Sequence, residues 1–187
     1  MRDCSIGQRL IDLRRELAWE GTALDKFHAT SDRQQIRDRV FEVLAGGDFR
    51  VDATIIDKTK TQPHLQADPI RFYKQAWFMH FKYVAPRISS KGDELFVVAS
   101  SLQVNRKKKA IFLSLKDVVE QVTPTSKYHS AFFPAATDPC LQAADYAAWA
   151  IQRKHESNGA DTRSHALIED KIRSEFQPFK WGSTVYY

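Results

Sequence analysis

Apolar residues recur every three or four positions near the start of the chain, at Ile6, Leu10, Leu13 and Leu17, with charged residues between them. That spacing predicts an amphipathic helix over 5–17. The segment FHATSD follows. Ser31 then has the place of a helix opener, because Gln34 lies at the capping-box distance. Ile36, Val40, Phe41, Val43 and Leu44 form the apolar face of this second helix, and Gly46-Gly47 stops it. The period then changes from 3.6 to 2: Phe49, Val51, Ala53 and Ile55 fall on one side, which predicts a strand over 49–56. Asp68-Pro69 opens a helix to about Val84, with Pro at its first position and aromatic residues on two sides. ELFVVAS, 94–100, is an uninterrupted run of strand length, the pattern of a buried central strand. Ile111, Leu115, Val118, Val119 and Val122 predict a helix over 109–122, and 128–133 suits a short strand. Asp138-Pro139 opens a helix to about Glu156. A last helix, about 164–175, is expected before an aromatic tail of Phe176, Phe179, Trp181, Tyr186 and Tyr187 that covers core.

Helices alternating with strands predict an α/β fold. Two or three strands against five helices make too small a sheet, so either further strands complete it or the pattern hides some. Length changes the picture little: 187 residues suit a single domain, 1–187. Hydrophobic residues at 43% and aromatics at 12% exclude a disordered chain. No run of about 18 apolar residues occurs, so no membrane span is expected, and the opening MRDCSIGQRL lacks the apolar stretch of a signal peptide. Cys4 and Cys140 lie too far apart for a metal knuckle and are too few for a disulfide framework, which makes a reducing cytoplasm the expected compartment. A net charge of +5 permits a phosphate-bearing partner without demanding one. The phosphate-binding loop, the dinucleotide glycine motif, the nucleophile elbow and the zinc-protease motif are all missing, which removes most weight from those enzyme classes.

The chemistry concentrates in DPCLQAADYAAWAIQRKHE, 138–156. From Cys140 to Ile151 the predicted helix is apolar nearly all round, broken only by Gln142 and Asp145. Asp138, Gln142 and Asp145 stack on one face at i, i+4 and i+7. A carboxylate on such a helix is costly unless it is paired or holds a metal, so Asp145 is the first candidate; a structural ion pair is the competing reading. Asp138 precedes a proline and is equally an N-cap. Its place two turns from Asp145 keeps the two from sharing one ion. His28, in a loop, suits a metal ligand, a general base or a plain hydrogen-bonded residue. Asp32 suits the first turn of a helix for its dipole alone. Asp57 and Lys58 end a strand, where a site or a turn salt bridge is expected. Arg106, Lys107, Lys108 and Lys109 put four cations at a helix start, where a phosphate backbone would relieve their repulsion, although such runs are more often simply solvated.

FHAT with the helix after it, FRVDATIIDK, and above all DPCLQAADYAAWAIQRK resemble the family called domain of unknown function 3800. RSHALIEDKI and the final VYY extend the resemblance over nearly the whole chain, from about Leu10 to Tyr187. The resemblance implies a ribonuclease H-like fold, a mixed sheet flanked by helices, in a family of bacteria, phages and mobile elements. It also implies a metal-dependent nuclease acting on DNA or RNA, with Mg²⁺ or Mn²⁺ held by carboxylates. Carried over by position, Asp145 matches the acid of the C-terminal helix and the metal ligand, Gln142 its neighbour, and His28 the histidine of the FHA segment. The basic run 106–109 would hold phosphates.

The chain departs from the family pattern twice. It starts at the helix that follows the family's first strands and their Asp-Glu-Ser-Gly-like turn, and Ala99-Ser100-Ser101 stands where many members carry an acid. The expectation is therefore a domain incomplete at its N-terminus, of reduced activity, with an uncovered sheet edge that favours self-association. The alternative within the same family is a non-catalytic member that binds nucleic acid or protein, in which Asp145 is structural.

Overall fold

The computed structural model describes residues 5–90, 92–100, 116–122 and 127–180. Its elements run α1 (Ser5–Trp19), α2 (Gln34–Ala45), β1 (Val51–Thr54), a 3₁₀ turn at Lys58–Lys60, α3 (Pro63–Ala67), α4 (Pro69–Ile88), β2 (Glu94–Ser100), β3 (Lys127–Phe133), α5 (Pro139–Glu156), α6 (Arg163–Ala166), a second 3₁₀ turn at Glu169–Lys171, and β4 (Ile172–Phe176). Residues 116–122 are helical as well. The α/β class is thus observed. The described strands form two separate two-stranded sheets, β1 with β4 and β2 with β3, rather than one mixed sheet. By contacts the chain forms two compact units: Met1–Val51 with Phe133–Ser174, and Asp52–Phe132 with Glu175–Tyr187.

The first unit is built on α1, α2 and α5, with α1 packed against both of the others. The stripe read from the sequence, Ile6, Leu10, Leu13 and Leu17, is buried, as are Ile36, Val40, Phe41 and Leu44 of α2. They meet Ala143, Tyr146, Ala147 and Ala150 of α5 in a single core. Small residues on α5 let the other helices approach closely, and the large rings fill what remains: Phe41 stands edge-on to Tyr146 at 5.4 Å. Gly46 ends α2 in ordinary right-handed backbone, with φ −80°. At Gly47 a Cβ would lie 2.8 Å from Ile6 Cδ1 and 3.1 Å from the Phe49 ring, so those two side chains would have to shift to admit one.

The second unit packs Phe81 and Ala85 of α4 with Ala99, Val118 and Val119, flanked by Trp77, Phe78, Val97, Tyr128 and Phe132. Asp68 caps α4 by accepting from the Ile70 and Arg71 amides, and Pro69 takes the first position, as the sequence predicts.

Three expectations are corrected. Ser31 does not open α2: the helix starts at Gln34 after Arg33, without a side-chain cap. The Ser31 hydroxyl instead donates to the His28 carbonyl at 3.3 Å, because residues 28–32 close into a turn of their own. ELFVVAS is a strand, but in a two-stranded sheet, so Phe96 is 63% exposed where a central strand would be covered. The expected helix over 164–175 ends at Ala166, and Ile172–Phe176 is the strand β4. Pairing with β1 explains the change: the Ile55 amide donates to the Phe176 carbonyl at 2.8 Å, and the Phe176 ring stacks on Tyr83 at 4.2 Å and 2°. Partners this distant in sequence override a weak local helix pattern. The strand expected over 49–56 is shorter, and the short helix α3 had no clear local signal. The first part of the helix expected over 109–122, and Trp181, Tyr186 and Tyr187 of the aromatic tail, lie outside the described residues.

Burial lowers the pKa of His80, on α4, below its ordinary 6.5, with Asp52 opposing the shift more weakly. The folded state therefore favours the neutral ring. Its contribution to stability is complete above pH 6.5 and is lost as pH falls through 6.5 towards the folded value. The urea midpoint of the wild type should fall faster than that of His80→Gln between pH 7 and pH 5, a comparison that removes the background of the carboxylates.

Candidate functional site

Every residue of the candidate site belongs to the first unit. The centre is the turn 27–32, held against α5. Phe27 and Ala29 are 2% and 0% exposed, so their backbone groups must find partners inside the protein. Gln142, 2% exposed, supplies one: its Oε1 accepts from the Phe27 amide at 3.0 Å, while its Nε2 donates to the Ala135 carbonyl at 2.8 Å. Asp145 Oδ2 accepts from the Ala29 amide at 2.9 Å and pairs with His28 Nδ1 at 2.9 Å. Arg37 Nη1 donates to the Ala29 carbonyl at 2.9 Å, and its guanidinium lies over the Trp149 ring at 5.1 Å.

The turn is also closed on itself. Asp32 Oδ2 accepts from the His28 amide at 2.8 Å, and the Asp32 amide donates back to the His28 carbonyl at 3.0 Å. The Tyr146 hydroxyl donates to the same Asp32 oxygen at 2.5 Å. Burial, and after it the Asp32 carboxylate, drives the Tyr146 phenol far above its ordinary 10, so it stays a donor at any physiological pH. Asp32 is thus a buried acceptor at the centre of the turn, not an acid placed for the dipole of α2.

The result is a His–carboxylate pair on a fixed backbone. The His28 side chain is 43% exposed and Asp145 37%. The imidazole uses Nδ1 towards Asp145, and its Nε2 has no partner among the described residues. Gln142, Asp145 and His28, all singled out in the sequence, are brought together. Asp138 is not among them: its Oδ1 caps α5, accepting from the Cys140 and Leu141 amides at 2.8 and 3.2 Å. Asp57 likewise closes its own turn, accepting from the Thr59 amide at 2.9 Å and the Thr59 hydroxyl at 2.6 Å. Arg106, Lys107, Lys108 and Lys109 lie outside the described residues. Tyr146 and Arg37 were missed. Tyr146 had a signal, a hydroxyl on an otherwise apolar helix, whereas nothing local distinguishes Arg37.

Asp138→Ala should cost about 1 kcal/mol, the usual value of a lost N-cap, with no change at the His28–Asp145 pair. A thermal melt and the His28 ring resonances check the two halves of that expectation.

The resemblance implies Mg²⁺ or Mn²⁺, for which Asp145 would be the ligand. Among the described residues no three His, Cys, Asp or Glu side chains converge to hold a metal. The nearest carboxylates already serve the backbone, Asp145 through Ala29 and Asp32 through His28. Each of these carboxylates uses one oxygen, Oδ2, in those bonds, and Mg²⁺ is commonly held by one or two carboxylates together with water. What the site offers by itself is an oriented imidazole that can exchange a proton with solvent or a substrate.

No protein-family model matches the sequence, and neither a curated protein nor a solved structure shows significant similarity to it. Among the described residues no helix is long and apolar enough to cross a membrane.

Proposed function

We propose that the chain is a ribonuclease H-like protein that hydrolyses phosphodiesters in DNA or RNA, with His28 as general base and Asp145 as the residue that positions it. The observation that carries this reading is the half-exposed pair itself: Nδ1 is fixed on Asp145 at 2.9 Å, and Nε2 has no partner among the described residues on a side chain 43% exposed. In that role Nε2 takes a proton from a water whose oxygen attacks phosphorus, the P–O bond to the departing strand end breaks, its alkoxide takes a proton from solvent, and the imidazolium, stabilised by Asp145, gives its proton back to solvent. The basic run Arg106–Lys109 is proposed to bind the phosphate backbone of the nucleic acid, apart from the step at His28. Mg²⁺ or Mn²⁺, which the family resemblance implies, enters no step here. Their effect is an arm of the test.

The test is cleavage of single- and double-stranded DNA and RNA by the purified chain, in EDTA and with added Mg²⁺ or Mn²⁺. Cleavage in EDTA that disappears in His28→Ala supports the proposal. Cleavage only with added metal would move the chemistry away from a general-base pair, and no cleavage in any condition overturns the catalytic reading.

A second reading, the non-catalytic binding member, is favoured by one specific observation. Gln142, Asp145, Asp32 and Arg37 all bond to the backbone of residues 27–29, which is what a purely structural clamp does. Under that reading the chain binds oligonucleotide without cutting it, and Asp145→Asn changes stability alone.

A further inference from the structure

The second unit contains a pocket that the nuclease reading does not use. It has a volume of about 270 Å³ and is lined by Thr54, Ile56, Tyr73, Ala76, Trp77 and His80. Among the described residues its lining is aromatic and aliphatic, with no charged side chain. The ring of Trp77 stands at 65° to Tyr73 and at 87° to His80, with centroids 6.0 Å apart in both cases, so the walls are rigid rings set at steep angles. One face of Trp77 is covered by Phe81, stacked at 5.2 Å, which fixes the indole in place.

One polar device is built into this apolar wall. His80 Nδ1 lies 3.0 Å from Thr54 Oγ1, leaving Nε2 as the ring's remaining polar atom. A hydroxyl can both donate and accept. If Thr54 donates, Nδ1 is the acceptor and Nε2 carries the hydrogen; if Thr54 accepts, Nε2 is bare. The pair can therefore offer either a donor or an acceptor by rotating one hydroxyl. The burial that keeps His80 neutral preserves this choice.

These features select a ligand class. Uncharged walls reject an ion as the group inserted. Rings at steep angles accept a flat group by stacking and edge contacts. A volume near the lower end of ligand pockets, which begin at about 300 Å³, suits one or two fused rings. A donor–acceptor switch suits a ring whose edge carries both kinds of group. We infer that this pocket binds a nucleobase, the neutral planar heteroaromatic ring with mixed donors and acceptors on its edge. The base can come as a free nucleoside or on a single strand of nucleic acid, and the net charge of +5 suits the phosphate-bearing form. The inference is independent of the His28–Asp145 chemistry, since none of its residues belongs to that site.

The experiment is a titration of the full chain with adenosine, with a short oligothymidylate, and with indole as an apolar ring lacking acceptors. It is read on the indole N–H resonance of Trp77 and the ring resonances of His80. Ala76→Leu fills the pocket without removing a wall or weakening the helix, and Thr54→Val removes the hydroxyl at nearly constant shape. Adenosine should shift both residues, Ala76→Leu should weaken binding at least tenfold, and Thr54→Val should weaken it severalfold. Oligothymidylate binding that is sensitive to Ala76→Leu, without adenosine binding, would show that the strand delivers the base. Indole binding as tightly as adenosine, equal binding by Ala76→Leu, or no shift with either nucleobase probe overturns the inference. Each variant is first checked by circular dichroism. If Ala76→Leu is unfolded, Ala76→Val takes its place.

Discussion

Asp145→Asn should lower cleavage about 100-fold or more, the usual range for loss of a positioned acid–base group, while the protein stays folded. The asparagine carbonyl can occupy the position of Oδ2 and still accept from the Ala29 amide, so the turn keeps its anchor. The negative charge is lost, and with it the stabilisation of the His28 imidazolium. A charge-assisted hydrogen bond becomes a neutral one, a difference of about 1 kcal/mol. Exposure of 37% for Asp145 and 43% for His28 keeps the effect on stability at that small size. For a chain of this length that is about 2–4 °C in Tm. Asp145→Ala leaves the buried Ala29 amide without its acceptor, which costs a further ~1–3 kcal/mol. Rates and melting curves measured on both variants separate the two roles of Asp145. A large rate loss with a small change in Tm in the asparagine variant identifies the catalytic role; a change in Tm with no cleavage to lose identifies a clamp.

Gln142→Leu should be the most destabilising of these substitutions, by about 3 kcal/mol. Leucine fits the volume, so no large cavity forms. The cost comes from two backbone groups: the Phe27 amide and the Ala135 carbonyl both lose their partner in a site where Gln142 is 2% exposed. The buried Phe27 amide alone costs about 1–3 kcal/mol when orphaned, and the half-buried Ala135 carbonyl, which water can reach, costs less. Gln142→Glu is the informative control. It can still accept from Phe27 but cannot donate to Ala135, and it sets a carboxylate against that carbonyl. It should therefore be no more stable than the leucine variant. Urea unfolding followed by the fluorescence of Trp149, in the same unit, measures both. A loss below about 1 kcal/mol in Gln142→Leu would mean that the turn is not held by this side chain. Because the turn carries His28, Gln142→Leu should also lower any cleavage rate measured below its unfolding transition.

The long helices were legible because each has an apolar stripe at helical period that meets one core. The leucines of α1 and the Ile36, Val40, Phe41 and Leu44 face of α2 are buried where the pattern puts them. Asp-Pro pairs marked the starts of α4 and α5 because an acidic N-cap followed by proline serves the first-turn amides whatever the surroundings. Ser31 misled for a tertiary reason. The turn 28–32 is closed by an Asp32 carboxylate that also takes the hydroxyl of Tyr146, 114 positions away, and no local pattern reports such a bond. β4 misled likewise: its register depends on β1, more than a hundred residues upstream.

The sequence by itself pointed to Gln142 and Asp145 of α5, since polar side chains on a nearly continuous apolar helix need partners; the need is strict for the buried Gln142 and looser for the half-exposed Asp145. It also determined the main helices and the α/β class. Only the tertiary structure decided what the compensation is. Gln142 and Asp145 hold the turn 27–32, Asp138 closes its own helix, and His28 is bonded through Nδ1 alone among the described residues. The reason is range. Helix period and capping are set within about four residues, whereas hydrogen bonds across more than a hundred residues exist only once the chain has packed.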